Sequence, residues 1–357
     1  MASPQTPTLV EVDSLTIHAI VNDEIDQISP SPYPGVKHPQ SFMGAPLTSL
    51  ADGVRRGGAT KEMRMDTLCC GAHGLSLLIT ATKGGKSHTL LFDAGPEEAV
   101  WERNISRLGL DAGAIETIVL SHWHRDHSGG MLSAIRMVEA AKTKASSSPE
   151  TATTTKKVVA DLHPDRPDYR GVMVHEPISL EPDPSFEEME QAGATVFKSS
   201  EPHTVLDDMF LVSGSIPRET TYEGGIRGGI RLDSATGQWE KDELIMDERL
   251  VMCNLKGKGL VVFTGCSHAG VVNVARHAMS LGGGGEGGVP LYTVVGGYHL
   301  ADASNEKMEN SMRDLKALEP KVLMPGHCTG WRFKVRIENE MPGCMAPVFG
   351  GTRYELV

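Results

Sequence analysis

The chain has 357 residues, 39% of them hydrophobic, which is enough for one large domain or two ordinary ones. Its 34 basic and 46 acidic residues give a net charge of -12 with no block of Lys or Arg, which disfavours nucleic acid and anionic membranes as partners. Six cysteines without a CxxC pair, no signal-peptide pattern and no apolar run of membrane-spanning length predict a cytoplasmic protein with reduced thiols.

The first half of the chain alternates apolar runs typical of strands with apolar stripes typical of helices. After an N-terminal tail of residues 1–14, the predicted order is strand 15–21, strand 74–82, strand 88–93, a helix with Trp101, Ile105 and Leu108 on one face, strand 117–120, and a helix with Met131, Ile135 and Val138 on one face. Residues 22–66 are rich in Pro, Gly, Ser and Asp, so we expect an irregular insertion there that lies as a lid over a site.

The second half of the chain repeats this alternation. Its predicted order is strand 259–264, helix 271–279, strand 291–295, a helix with Met308, Met312 and Leu315 on one face, and strand 322–324. Low apolar content at 141–157 and a glycine run at 281–289 predict two flexible loops. Because strands alternate with helices in both halves, layered α/β/β/α packing in a single domain, residues 15–357, explains the pattern better than two independent domains.

The segment HWHRDH at 122–127 carries the densest group of metal-ligand side chains in the chain. His122 and His124 are two residues apart, so in extended backbone they point the same way. Neutral imidazoles on one side suit a divalent ion such as zinc. Asp126 and His127 follow after the chain starts to turn, so they face a second position. The spacing therefore predicts two adjacent metal sites.

Three later segments also place ligand-type side chains directly after a strand. They are TGCSHAG at 264–270, GGYHL at 296–300 and MPGHCTG at 324–330. Active sites in α/β layers lie on loops at strand ends, where rigid backbone fixes the side chains. Several strand ends that deliver His, Asp or Cys are what a dinuclear site requires.

These motifs resemble the metallo-β-lactamase fold superfamily of metallohydrolases, whose signature is the HxHxDH of 122–127 preceded by a strand such as LLFDAG at 90–95. Within that superfamily the chain resembles the branch described as dihydropteroate-synthase-like or ribofuranosyl-aminobenzene-phosphate-synthase-like. The segments that carry this second resemblance are HGLS at 73–76, IPR at 216–218, TGCSHAG at 264–270, GYHL at 297–300 and PGHCTG at 325–330. The resemblance implies a four-layer αββα sandwich.

The resemblance also implies a set of ligands. The first metal would be held by His122 and His124 with either His268 or His203, and the second by Asp126, His127 and His327. In most of the superfamily an Asp bridges the metals from the strand end where this chain has Cys266. This departure leaves three alternatives: Cys266 is a thiolate ligand, His268 takes the bridging place, or the second metal site is weak. Otherwise Cys266 is a small buried hydrophobe and His268 caps the next helix.

Other side chains receive roles from the same resemblance. His299 is a metal ligand, a general acid, an oxyanion donor or a packed histidine. His73, Arg218 and Glu223 are candidates for substrate contact, although Arg218 and Glu223 would equally suit a surface ion pair. Asp93 is expected to orient a ligating histidine from behind.

The expected activity follows from such a site. Two divalent ions, with zinc as first choice and manganese or iron as alternatives, would supply hydroxide and polarise a carbonyl. We therefore expect a hydrolase that opens a cyclic amide or ester in a small molecule, with Asp126 and His299 as catalytic residues. One alternative is a synthase or transferase that acts on a pterin-related phosphorylated substrate. The other is a metal-binding scaffold without catalysis, which the presence of Asp126 and His327 disfavours.

Overall fold

The computed structural model describes residues 8–26, 28–37, 47–51, 56–146, 156–283 and 288–357. Its strands are β1 (Glu11–Val12), β2 (Ser14–Val21), β3 (Val36–Lys37), β4 (Leu47–Ser49), β5 (Lys61–Met63), β6 (Ser76–Lys83), β7 (Lys86–Phe92), β8 (Ile115–Val119), β9 (Val159–Leu162), β10 (Arg170–Met173), β11 (Pro177–Ser179), β12 (Thr195–Lys198), β13 (His203–Val205), β14 (Phe210–Val212), β15 (Gly229–Asp233), β16 (Gln238–Lys241), β17 (Val251–Leu255), β18 (Gly259–Thr264), β19 (Leu291–Gly297), β20 (Val322–Gly326) and β21 (Arg353–Leu356). Its helices are α1 (Glu98–Arg107), α2 (Arg125–Ser128), α3 (Met131–Ser146), α4 (Phe186–Ala192), α5 (Val271–Leu281), α6 (Asn305–Ala317) and α7 (Trp331–Glu340).

Two large sheets form the centre of the molecule. One has the strand order β12-β9-β8-β7-β6-β2-β21-β3, and the other has the order β13-β14-β17-β18-β19-β20 with β1 paired to β17. Apolar side chains such as Phe92 from one sheet and Phe263 from the other share one buried cluster between them. The helices α1, α3 and α4 cover the outer face of the first sheet, and α5, α6 and α7 cover that of the second. The predicted αββα sandwich is therefore confirmed.

The strands that build the site are the ones predicted most accurately. Leu90, Leu91, Phe92, Ile118 and Val119 are all fully buried, because both faces of the sheet are covered at β7 and β8. Strands that are buried on both faces have continuous apolar sequences, so these strands could be predicted from the sequence. None of the described helices is long and apolar enough to cross a membrane.

Three predicted segments differ from the structure. Helix α3 continues to Ser146, so the start of the predicted loop at 141–157 is helical, while residues 147–155 lie outside the described residues. The predicted loop at 281–289 begins inside α5, and residues 284–287 are likewise not described. The insertion at 22–66 contains the short strands β3, β4 and β5. Their two or three residues are too short to show a sequence period.

Two further differences concern elements that the sequence pattern did not show. Three residues of the predicted tail lie in strands: Glu11 and Val12 form β1, which pairs with β17 in the second sheet, and Ser14 begins β2. A separate four-stranded sheet has the order β11-β10-β15-β16. Its strands expose apolar side chains such as Met173 and Ile178, so its pattern lacks the alternation that predicts a half-buried strand.

Candidate metal centre

The ligand-type side chains lie at one edge of the two sheets because their strands run in parallel. In the first sheet β7 pairs with β8 in parallel, and in the second β18, β19 and β20 form a parallel trio. Parallel strands place their carboxyl ends at the same edge. The loops after these five strands carry Asp93, the segment 122–127, the pair Cys266 and His268, then His299, and finally His327.

Four of these loops contain a non-glycine residue in the left-handed backbone region. The φ angles are 59° at Asp93, 59° at Ser267, 49° at His299 and 42° at His327. This conformation costs a non-glycine residue of order 1–3 kcal/mol and persists only where neighbouring contacts impose it. Four strained positions therefore lie at the edge where the polar side chains converge.

The first ligand cluster consists of His122, His124 and His268. His122 Nε2 lies 2.9 Å from His124 Nδ1 and 3.1 Å from His268 Nε2, and the last two atoms are 3.2 Å apart. Burial lowers the pKa of all three rings, that of His124 to about 3, so they are neutral at physiological pH.

The second ligand cluster consists of Asp126, His127, Cys266 and His327. Cys266 Sγ lies 3.2 Å from His127 Nε2 and 3.2 Å from His327 Nε2. Asp126 Oδ2 lies 3.2 Å from His327 Nε2 and 3.6 Å from His127 Nε2. Zinc bonds of about 2.0–2.3 Å place neighbouring tetrahedral ligand atoms roughly 3.3–3.8 Å apart, close to the spacing in both clusters.

The hydrogen bonds of the Nδ1 atoms orient three of these histidines so that their Nε2 atoms face a cluster. The hydroxyl of Ser121 donates its proton to Asp93 Oδ2 at 2.8 Å. Ser121 Oγ therefore accepts the hydrogen bond from His122 Nδ1 at 2.9 Å. His127 Nδ1 donates to Asp93 Oδ2 at 2.7 Å, and His327 Nδ1 donates to Asp23 Oδ1 at 2.7 Å. Each Nδ1 therefore has an oxygen acceptor, and each Nε2 faces its cluster, where it can offer a lone pair to a cation. This arrangement and the N, O and S donors fit divalent metal ions.

The electrostatics of the second cluster also favour positive charge. Burial lowers the pKa of His127, but Asp126 and Asp93 outweigh it and hold that pKa above the usual histidine value. Burial raises the pKa of the Cys266 thiol well above its usual value. A coordinated thiol nevertheless loses its proton, since a metal ion is the largest local charge in such a site.

The sequence did not indicate two carboxylates that support the centre. Asp23 orients His327, and it follows strand β2, whose carboxyl end lies at the same edge as that of β7. That position is the signal that would have revealed it. Glu248 accepts hydrogen bonds from the backbone N–H groups of His268, at 2.7 Å, and Ala269, at 2.6 Å. Glu248 comes from a loop without periodicity, so no sequence signal pointed to it.

The structure places His203 away from both ligand clusters. Its Nε2 lies 2.7 Å from Asp161 Oδ2, and Asp161 also forms a fully buried ion pair with Arg249 at 2.8 Å. Arg249 donates in turn to the carbonyl of Leu120, at the end of β8. Of the two histidines considered for the first cluster, the structure therefore brings His268, and not His203, beside His122.

We expect His268→Ala to remove about one metal ion per chain, because it deletes one of three imidazoles in the first cluster. His203→Ala is the matched control and should leave the metal content unchanged. Inductively coupled plasma mass spectrometry on both purified variants measures the outcome. Loss of metal in the His203 variant with none in the His268 variant would contradict this assignment.

We expect Asp23→Asn and Asp93→Asn each to weaken metal affinity by about 10–100-fold, since carboxylates that orient ligating histidines contribute about this much. Competition with a fluorescent chelator measures the affinity. Glu97→Gln is a suitable control, because Glu97 is an exposed carboxylate on the cleft wall and belongs to neither ligand cluster. Unchanged affinity in both Asp variants would mean that neither carboxylate orients its histidine.

Glu223 and Arg218, which were expected to contact the substrate, form hydrogen bonds with the backbone of the surrounding structure. Glu223 is buried and accepts from the N–H groups of Val272 at 3.0 Å and Asn273 at 3.1 Å, so it caps the N-terminus of α5. Arg218 donates to the carbonyls of Ile216 and Leu244 and ties two loops together. The described contacts include no ion pair between Arg218 and Glu223. The contacts that Arg218 and Glu223 make here are framework contacts, and their roles at the substrate stay predictions.

A cleft of about 1010 Å³ opens onto both ligand clusters. His73 lies at its mouth, with Nδ1 2.8 Å from Asp23 Oδ2 and Nε2 3.8 Å from Asp126 Oδ2. His299 lines the cleft, and its ring centroid lies 4.5 Å from that of His268. Apolar and charged side chains complete the wall, among them Leu180, Ile226, Glu97, Glu181, Asp302 and Arg125. The cleft therefore has the size and the mixed lining of a small-molecule site.

Comparison with known proteins supports the resemblances stated from the motifs. The model of the metallo-beta-lactamase superfamily matches residues 72–141, which contain the HxHxDH segment. The chain is 26% identical over 274 residues, 73% of this chain and 82% of the relative, to 7,8-dihydropterin-6-methyl-4-(beta-D-ribofuranosyl)-aminobenzene-5'-phosphate synthase of Methanocaldococcus jannaschii. An uncharacterized protein of the same organism is 28% identical over 265 residues, 74% of this chain and 87% of that relative.

A solved structure shares the fold. It is Tm1679, described as a metal-dependent hydrolase of the beta-lactamase superfamily, with a TM-score of 0.64 and 19% sequence identity. The match covers 96% of this chain and 98% of that one. Both predicted resemblances, to the superfamily and to the ribofuranosyl-aminobenzene-phosphate-synthase-like branch, are therefore confirmed.

Proposed function

We propose that this chain, which resembles the metallo-beta-lactamase superfamily in fold and motif, is a metal-dependent hydrolase that opens a cyclic amide or ester in a small molecule. The observation that carries the proposal is the pair of ligand clusters at the floor of one cleft. Substrate bound in this cleft would lie directly against both clusters. Shape and lining favour a compact, partly apolar molecule.

The donor atoms define what each cluster would hold. His122, His124 and His268 would hold one divalent ion, and Asp126, His127, Cys266 and His327 a second. Nitrogen and sulfur donors favour zinc, while manganese and iron remain alternatives for the cluster that contains Asp126. Ions bound there would polarise a carbonyl and turn water into a nucleophile at neutral pH.

The side chains of the protein supply the remaining functions. Asp126 faces the cleft next to the second cluster, so its free oxygen would accept a hydrogen bond from the attacking water and orient it. His299 lies on the cleft wall beside His268, at a position from which its ring would donate a proton to the leaving oxygen or nitrogen. His73 at the mouth would contact the substrate.

One observation favours a second candidate, a synthase or transferase that acts on a pterin-related phosphorylated substrate. The relative that is 26% identical over 274 residues is a synthase of that kind. The wall of the cleft argues against this candidate. Outside the ligand clusters it carries three carboxylates, Glu97, Glu181 and Asp302, against one cation, Arg125, whose Nε already lies 3.5 Å from Glu181. The wall therefore offers a phosphate group only one guanidinium, which is already paired, among three carboxylates.

Reaction in isotopically labelled water distinguishes the two candidates. The hydrolase should produce a ring-opened product of a lactone or lactam that carries one oxygen from the solvent, measured by mass spectrometry. The synthase would instead need a phosphorylated co-substrate and give a product without solvent oxygen. An unlabelled product formed by the metal-loaded protein would therefore overturn the hydrolase proposal.

A further inference from the structure

Two cysteines from neighbouring strand ends meet beside the second ligand cluster. Cys266 follows β18 and Cys328 follows β20, and the two sulfurs lie within 4.8 Å of one another. Cys328 Sγ also donates to the carbonyl of Cys266 at 3.5 Å. Both thiols are free. The metal centre proposed above uses Cys266 but gives Cys328 no role.

We propose that Cys266 and Cys328 are a modification site at which hydrogen peroxide forms a disulfide and thereby withdraws Cys266 from the metal centre. A disulfide needs the sulfurs about 2.05 Å apart, so they would have to approach by roughly 3 Å or less. Gly297 of β19 lies between the two loops, and a Cβ atom there would stand 2.7 Å from Cys328 Sγ. The missing side chain at this position leaves space beside the sulfur pair.

The two cysteines differ in access in the way that such a reaction requires. Both cysteines line the cleft, but only Cys328 is partly exposed, so a small oxidant reaches it first from solvent. Cys266 is buried and lies 3.2 Å from the Nε2 atoms of both His127 and His327. Cys328 is therefore the thiol that reacts first, and Cys266 is the one that resolves the intermediate.

The chemistry balances with hydrogen peroxide as the oxidant. Peroxide transfers one oxygen to the Cys328 thiol, which gives a sulfenic acid and one water. The Cys266 sulfur then attacks the Cys328 sulfur, the S–S bond forms as the S–O bond breaks, and the departing hydroxide takes up a proton as a second water. The two electrons come from the sulfurs, so zinc keeps its oxidation state. A sulfur held in a disulfide is no longer a thiolate ligand.

Peroxide would therefore change the metal affinity of the second cluster. With Cys266 withdrawn, the second cluster keeps Asp126, His127 and His327, which is one ligand fewer around the ion. Affinity for zinc should fall because the lost donor is the softest of the set. Reduction by a dithiol would restore the sulfur and the affinity.

Zinc-loaded protein treated with hydrogen peroxide tests the proposal. We expect a tryptic peptide pair joined through Cys266 and Cys328, the loss of two titratable thiols, and the release of zinc to a chromogenic chelator, all reversed by dithiothreitol. Cys328→Ser should keep its zinc under the same treatment. Cys70→Ser is the matched control, because Arg103 at 3.6 Å and Arg107 at 3.3 Å make Cys70 reactive although it lies outside the cleft lining. It should release zinc as the unmodified protein does.

Two results would overturn the proposal. One is peroxide-treated protein without the Cys266–Cys328 peptide pair, which is measured on the unmodified sequence and does not depend on the folding of any variant. The other is equal zinc release from the Cys328→Ser variant and the unmodified protein. The zinc-release readout rests on the proposed metal centre, whereas the peptide pair does not. Disulfide formation in a protein that binds no zinc would thus contradict the proposed function and the switch, but not the modification site.

Discussion

His122→Ala and His127→Ala are each expected to lose about one metal ion per chain together with nearly all hydrolytic activity. Each deletes one donor of a different cluster, so each should empty mainly its own cluster. Turnover should fall by more than about 100-fold, since even the carboxylates that orient such ligands contribute about 10–100-fold. Metal analysis and steady-state kinetics on a lactone or lactam substrate measure both effects.

The matched control for these variants is His175→Ala. His175 is exposed and belongs to neither ligand cluster, so the same substitution there should leave metal content and turnover unchanged. Because His122 and His127 are buried, folding is checked by circular dichroism before the kinetics. Full activity of either variant after exhaustive removal of metal would refute a metal-dependent mechanism.

Asp126→Asn is expected to lower kcat by about 10²–10⁴-fold, the range for a residue that positions and accepts a proton, while KM changes little. The amide retains a similar shape but is a poor proton acceptor. Because His127, Cys266 and His327 remain, the second cluster should still bind zinc at saturating concentration. The loss of an interaction that forms only in the transition state lowers kcat and leaves substrate affinity unchanged.

Glu97→Gln makes the same carboxylate-to-amide change on the wall of the same cleft. It should leave kcat for a neutral substrate near that of the unmodified protein, because Glu97 touches neither ligand cluster. Equal losses of kcat in the two variants would indicate that Asp126 acts through the charge of the cleft and not on the reacting water. A change in KM alone for Asp126→Asn would assign it to substrate binding.

The part of the metal centre that lies on the segment 122–127 could be predicted from the sequence. His122, His124, Asp126 and His127 follow a single buried strand within six residues, so their convergence depends only on local backbone geometry. The apolar runs of the parallel strands were equally clear. Together they determined the layered fold and the edge of the sheets at which the ligands lie.

The remaining ligands depended on how distant segments pack. His203 and His268 carry the same side chain near a strand, and only the packing of Asp161 against Arg249 turns His203 away from the first cluster. Asp23 supports His327 across more than three hundred positions of sequence. No periodicity in the chain encodes either contact.

The HxHxDH cluster, the buried strands and the αββα class could be predicted from the chain alone, because each depends on residues that are close together in sequence. The place of Cys266 in the second cluster and beside Cys328, and the capping of α5 by Glu223, became evident only from the folded structure. The physical reason is that a side chain's role depends on its partners. Those partners come from separate strands that only the packing of two sheets brings within bonding distance.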